Sequence, residues 1–338
     1  MIEKRFTKIK TLLVLVFIVL AAIGMYMSYR AEYLQTLEIG EKYLEVFHTN
    51  MNYKYRIMLL NFLLIFVILF VENLIIKSGL KPFFLDEKKE MPKLPNKSLA
   101  FVLAGLISFI ISPMISERMI LFTNSIWTGV NDPIFNLDIG FFFFQKPFIE
   151  LILTYIFMSL IAVTLYMVIY YIVTFNVYLT GVDRELLKKS KLVKQLKLNA
   201  FLIILTICGF VFLNTYNVLF EQSITLKDDL FTKLIGAGLT NTTIKVWGYR
   251  ILTIAIIVSG ILIIRNIDKG SFKKILYSVL IVPAYMVCLF VVMLLFSIVI
   301  ANNNKFDKEK EYIGYNINYT KLVVDVKLFR ILSKSAGP

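Results

Sequence analysis

The sequence predicts an all-α polytopic membrane protein, a bundle of about seven transmembrane helices with the N-terminus inside and the C-terminus outside. Three observations carry that reading. Of 338 residues, 58% are hydrophobic and 18% charged, with a mean hydropathy of +0.74; a soluble domain is roughly 45–50% apolar and about 25% charged. Seven apolar runs recur along the chain, each long enough to approach a bilayer crossing. The segments joining them alternate between rich and poor in lysine and arginine. The same composition argues against a soluble enzyme, a disordered chain or a disulfide scaffold.

The elements follow in order. Lys4, Arg5, Lys8 and Lys10 precede the apolar run 11–28. That order resembles a secretory signal, but no A-x-A site follows, so the run reads as an uncleaved anchor and first span. Further spans are expected at 56–76, 98–116, 148–174, 199–219, 249–264 and 275–300. Pro113 shortens the third, and Pro283 is expected to kink the seventh. Segments 1–10, 77–97, 176–198 and 265–274 hold four, six, six and four basic residues. The intervening loops 29–55, 117–147 and 220–248 hold three, two and three. The richer set is therefore cytoplasmic, which assigns the net charge of +14 to membrane orientation rather than to nucleic-acid binding. The membrane domain is 1–300, and 301–338 is an extracytoplasmic tail.

Between spans four and five, Asp183–Leu198 alternates leucines with lysines at helical spacing and reads as an interfacial helix on the cytoplasmic leaflet. The basic loop 77–97, with Pro82, Pro92 and Pro95, reads as irregular. Trp127 and Trp247 fall beside spans in outer segments, as interfacial anchors do. Two outer segments are too apolar or too glycine-rich for simple connectors: Glu117–Lys146, with its Phe141–Phe144 run, and Phe220–Trp247, with Gly236 and Gly238. No internal repeat is legible.

Residues able to carry chemistry are few. Glu72 is the candidate intramembrane ionisable group, placed near the cytoplasmic end of span two, where it could reach water. Asp132, Asp138, Glu150 and Asn241 form a candidate polar cluster at the outer face, with turn and cap roles the plainer reading of the aspartates. Lys146 and Glu150 stand four apart, as a helical ion pair would. Asn61, Thr164, Ser259 and Ser297 read as interhelical hydrogen bonders, and Gly105, Ser108 and Ser112 as a close-packing stripe. With only Cys208, Cys288 and His48, the sequence implies no metal site, and it carries no catalytic or cofactor motif.

NDPIFNLDIGFFFFQKPF at Asn131–Phe148 resembles the signature of the bacterial uncharacterised protein family 0182. GAGLTNTTIKVWGYRIL at Gly236–Leu252 is similar to that family's second outer segment, which usually has Tyr-Thr-Asp where this chain has Leu239, Thr240 and Asn241. EKEYIGYNINYTKLVVDV at Glu309–Val326 is similar to its post-membrane segment. The resemblance implies about seven N-terminal spans followed by a large extracytoplasmic region, and no particular chemistry. On it, 301–338 is the start of a truncated ectodomain.

Three functions follow as expectations. The first is a plasma-membrane anchoring and assembly module of the bacterial envelope, with the lipid bilayer and outer-face envelope or membrane proteins as partners. The second is a transporter or channel with a site between helices. The third is a membrane enzyme acting on an envelope substrate at the outer face.

Overall fold

A computed structural model describes residues 2–91, 96–179, 186–187, 190–221, 224–225, 233–234, 236–268, 271–296, 298–299 and 307–319. The long helices are α1 (Ile2–Ile39), α2 (Leu44–Asp86), α3 (Asn96–Thr123), α4 (Lys146–Tyr178), α5 (Lys191–Asn214), α6 (Val246–Asp268) and α7 (Phe272–Phe296). All seven are long and apolar enough to cross a membrane. A shorter helix, α8, covers 307–319. The only strands among the described residues are β1 (Ile224–Thr225) and β2 (Lys233–Leu234), an antiparallel pair with Ile224 opposite Leu234. The protein is thus all-α and multi-pass.

Five of the seven helices outrun at both ends the apolar segment that announces them, while α5 and α7 start earlier than expected and stop short, at Asn214 and Phe296. The segments 29–55 and 77–97, expected as loops, are helical over 29–39, 44–55 and 77–86. Pro82 lies inside α2, and α3 runs through Pro113 to Thr123. Charged residues suit helix ends beyond the hydrocarbon, so hydropathy marks the lipid contact and not the helix. Pro283 likewise lies inside α7. The expected interfacial helix falls partly outside the described residues, as does Ser297; from Lys191 to Leu198 the chain is the start of α5.

The chain divides into two compact units. The first holds 1–126 and 158–198. Here α2 packs on α3, bonded by Asn61 Nδ2 to Ser112 Oγ (3.1 Å) and Ser108 Oγ to the Met58 carbonyl (2.6 Å). Gly105 continues that stripe, where a Cβ would stand 2.6 Å from the Phe17 ring of α1. A buried cluster joins Ile76, Leu80, Phe83 and Phe84 of α2 to Met167 and Tyr171 of α4. The second unit holds 127–157 and 199–338. In it α6 packs on α7, and Ser259 Oγ donates to the Ser278 carbonyl at 2.7 Å. Cys208, Leu252 and Ile256 form one buried cluster there, and Val218, Ala237 and Val246 another.

Candidate functional site

The second unit carries the polar candidates. After α3 the chain folds on two carboxylates. Asp132 Oδ2 accepts the N–H groups of Ile134 (3.0 Å) and Phe135 (2.6 Å), closing a turn around Pro133. Asn136 takes a left-handed φ of 54° to finish it. Asp138 is 5% exposed. Its Oδ1 accepts from Gly140 N (2.7 Å), Thr128 N (3.2 Å) and Thr128 Oγ1 (3.1 Å), and its Oδ2 from Gly129 N (2.9 Å). Both carboxyls thus serve the backbone, and Asp138 also caps the helical segment that follows. Burial pushes Asp132 above the ordinary aspartate range, outweighing its bonds from Phe135 and Ile134. Burial acts on Asp138 too, but the donors from Thr128, Gly140 and Gly129 outweigh it and hold that carboxyl below the range.

The chain then enters α4 through a π-helical turn, Phe141–Gln145. One hundred residues later it enters α6 through another, Asn241–Lys245. The two lead-ins share three features. Each follows a residue of positive φ, Asn136 and Gly236. Each has its first N–H groups capped by a carboxylate, Asp138 in the first and Glu309 in the second, whose oxygens lie 3.0 and 3.2 Å from Leu239 N. A clamped lysine lies at the end of each, the first residue of α4 in one and the last residue of the π turn in the other. Lys146 Nζ lies 2.6 Å from Glu150 Oε1 and 2.7 Å from Asn217 Oδ1; Lys245 Nζ lies 2.5 Å from Glu221 Oε2. The likeness is one of local structure and not of sequence.

The third part is α8. Glu309, 3% exposed, makes the cap just described. Thr242 Oγ1 and Tyr312 Oη lie 2.8 Å apart, and Tyr319 Oη donates to the Asn131 carbonyl at 2.6 Å. One short helix therefore binds both outer segments. Of the four outer-face candidates, Asp132 and Asp138 share a loop, Glu150 pairs with Lys146, and Asn241 is buried in the second π turn. No hydrogen bond or ion pair joins any two of them among the described residues. Residues overlooked in the sequence are Glu309, Glu221 and the tyrosines of α8. Tyr312, Tyr315 and Tyr319 recur at helical spacing, a signal that could have found them.

In the first unit, Glu72 is only 4% exposed, more enclosed than its expected place near the cytoplasmic end of span two suggested. Gln195 Nε2 donates to Glu72 Oε2 at 2.5 Å, while Glu72 Oε1 is buried without a hydrogen-bond partner among the described residues. Beside it Tyr166 Oη donates to Asn73 Oδ1 at 2.6 Å. Among the described residues no group of three His, Cys, Asp or Glu side chains is placed to hold a metal ion.

Comparison with known proteins places this architecture. The model of the uncharacterised protein family UPF0182 matches residues 9–328. A UPF0182 protein of Caldicellulosiruptor saccharolyticus is 24% identical over 298 residues, covering 88% of this chain and 32% of the relative. One from Clostridium perfringens is 26% identical over 304 residues, covering 86% and 31%. A third, from Clostridium novyi, is 27% identical over 301 residues, covering 84% and 32%. The chain spans about a third of the length of the curated relatives it matches. No solved structure matches it.

Proposed function

The chain belongs to the uncharacterised protein family UPF0182, and on that premise we propose that it is a plasma-membrane anchoring and assembly module of the bacterial cell envelope, N-terminus inside and outer segments outside. The observation that supports this reading most is the latch of α8. Glu309, Tyr312 and Tyr319 tie it to both outer segments, fixing the chain where it leaves the last span. A flexible tether would suffice for attachment alone; a bonded, buried junction favours a rigid platform. The basic residues concentrated in alternate segments support the orientation.

The test is partner capture from the outer face. A photo-crosslinking residue at Trp127, which is 75% exposed, should give discrete adducts with envelope proteins in intact cells. Glu309→Ala should weaken those adducts while insertion of the spans persists. Solute flux in proteoliposomes together with no adducts would overturn the reading.

Glu72 favours a second reading, a transporter. A carboxyl buried with one oxygen unpartnered is a recognised starting point for a proton or ion site. Under it, the intact protein reconstituted in vesicles should show a proton-coupled flux that Glu72→Gln abolishes. A flux unchanged by that substitution would remove Glu72 from the pathway.

A further inference from the structure

Two cavities adjoin beneath the latch and share the walls Pro133, Ile134, Tyr312 and Tyr315. One, of about 360 Å³, is mostly apolar, walled by Ile139, Phe142, Phe143, Leu219 and Phe220, and the Asp132 carboxyl in its lining is engaged by the Ile134 and Phe135 N–H groups. The other, of about 330 Å³, is polar and lined by Thr242, Trp247, Arg250 and Glu311. Each falls within the roughly 300–1,000 Å³ of ordinary ligand sites. Opposite charges face the polar cavity. The Arg250 guanidinium lies 4.9 Å from the centre of the Trp247 ring, and Glu311 accepts the Tyr315 hydroxyl. Neither Arg250 nor Glu311 has an ion-pair partner among the described residues.

That pattern selects an occupant. An anionic head group would meet Arg250 but also the Glu311 carboxylate. A cationic one would meet the reverse conflict. A head group carrying both charges satisfies both, and only a molecule with a hydrocarbon portion fills the apolar half. The cavities sit where α6 begins, beside an exposed tryptophan of the kind that marks a membrane interface. We infer that the paired cavities bind a zwitterionic phospholipid of the phosphoethanolamine type, its phosphate on Arg250, its ammonium on Glu311 and acyl carbons among Phe142, Phe143 and Phe220. The site is independent of the anchoring reading.

The test is native mass spectrometry of the detergent-purified full chain titrated with dioleoyl phosphatidylethanolamine, dioleoyl phosphatidylglycerol and dioleoylglycerol. Phosphatidylethanolamine should be retained best. Arg250→Gln should weaken its binding about tenfold, the scale of one lost charge-assisted contact. Glu311→Gln should raise phosphatidylglycerol binding and erase the preference between the two phospholipids. That gain cannot come from misfolding, so the proposal stays testable if Arg250→Gln proves unstable. Equal retention of all three lipids, or a preference untouched by Glu311→Gln, would overturn it. So would a preference for phosphatidylglycerol in the unaltered chain.

Discussion

Asp132 and Asp138 share one loop, yet their carboxyls answer to opposite forces. Asp138 collects four donors, and its ionised form is what the fold binds. Its carboxyl is held low, so its contribution is present above the unfolded value of about 3.9 and is lost as pH falls through the lower folded value. Asp132 is held high, so its contribution is present below the unfolded value and is lost as pH rises through the folded one. At neutral pH the two substitutions should therefore diverge. Asp138→Asn should lower the thermal midpoint in detergent, because an amide cannot accept all four bonds as a carboxylate does. Asp132→Asn should leave the midpoint unchanged or raise it, because the amide oxygen still accepts from Phe135 and Ile134 without burying a charge. Thermal unfolding at pH 7 and pH 4 reads both. A drop for Asp132→Asn as large as that for Asp138→Asn would contradict the account. The pairing of these residues with turns was legible in the sequence; their opposite electrostatics were not, because burial depends on segments far along the chain.

The elements teach a related lesson. The seven apolar runs identify α1 to α7, but the helices run on into polar sequence wherever another surface covers it. Residues 77–86 stay helical because Leu80, Phe83 and Phe84 are buried against α4. The two lead-ins share a π turn and a preceding positive φ, but almost no residues. A local aspartate caps the first, whereas the cap of the second comes from Glu309, 70 residues downstream. Sequence comparison of the two segments cannot see such a repeat. Their clamps are testable. Lys146 is 6% exposed and holds both Glu150 and Asn217. Lys146→Met should leave those acceptors unpaired and cost about 1–3 kcal/mol. Glu309→Ala should cost about 1 kcal/mol, the typical loss of an N-cap. Denaturation of each variant in detergent measures the difference. A neutral Lys146→Met would mean that the clamp is incidental to the fold.

At the scale of the whole molecule, the sequence announced a multi-pass α-helical protein, and the seven long apolar helices of the structure agree with it. Function was less legible, because the candidate groups are polar residues whose partners lie in other segments. Glu72 became a candidate of substance only once its unpartnered oxygen was seen. Glu309 was unremarkable until α8 met the second lead-in. The anchoring reading rests on that latch facing outward, and one measurement tests it most directly. In a chain with Cys208 and Cys288 replaced by serine, single cysteines are placed at Glu311 in α8 and at Lys88 after α2, and intact cells are treated with a membrane-impermeant maleimide. The account predicts labelling at 311 in intact cells, and at 88 only after permeabilisation. Labelling at 88 in intact cells, with 311 protected until the membrane is opened, would invert the topology and contradict the anchoring reading.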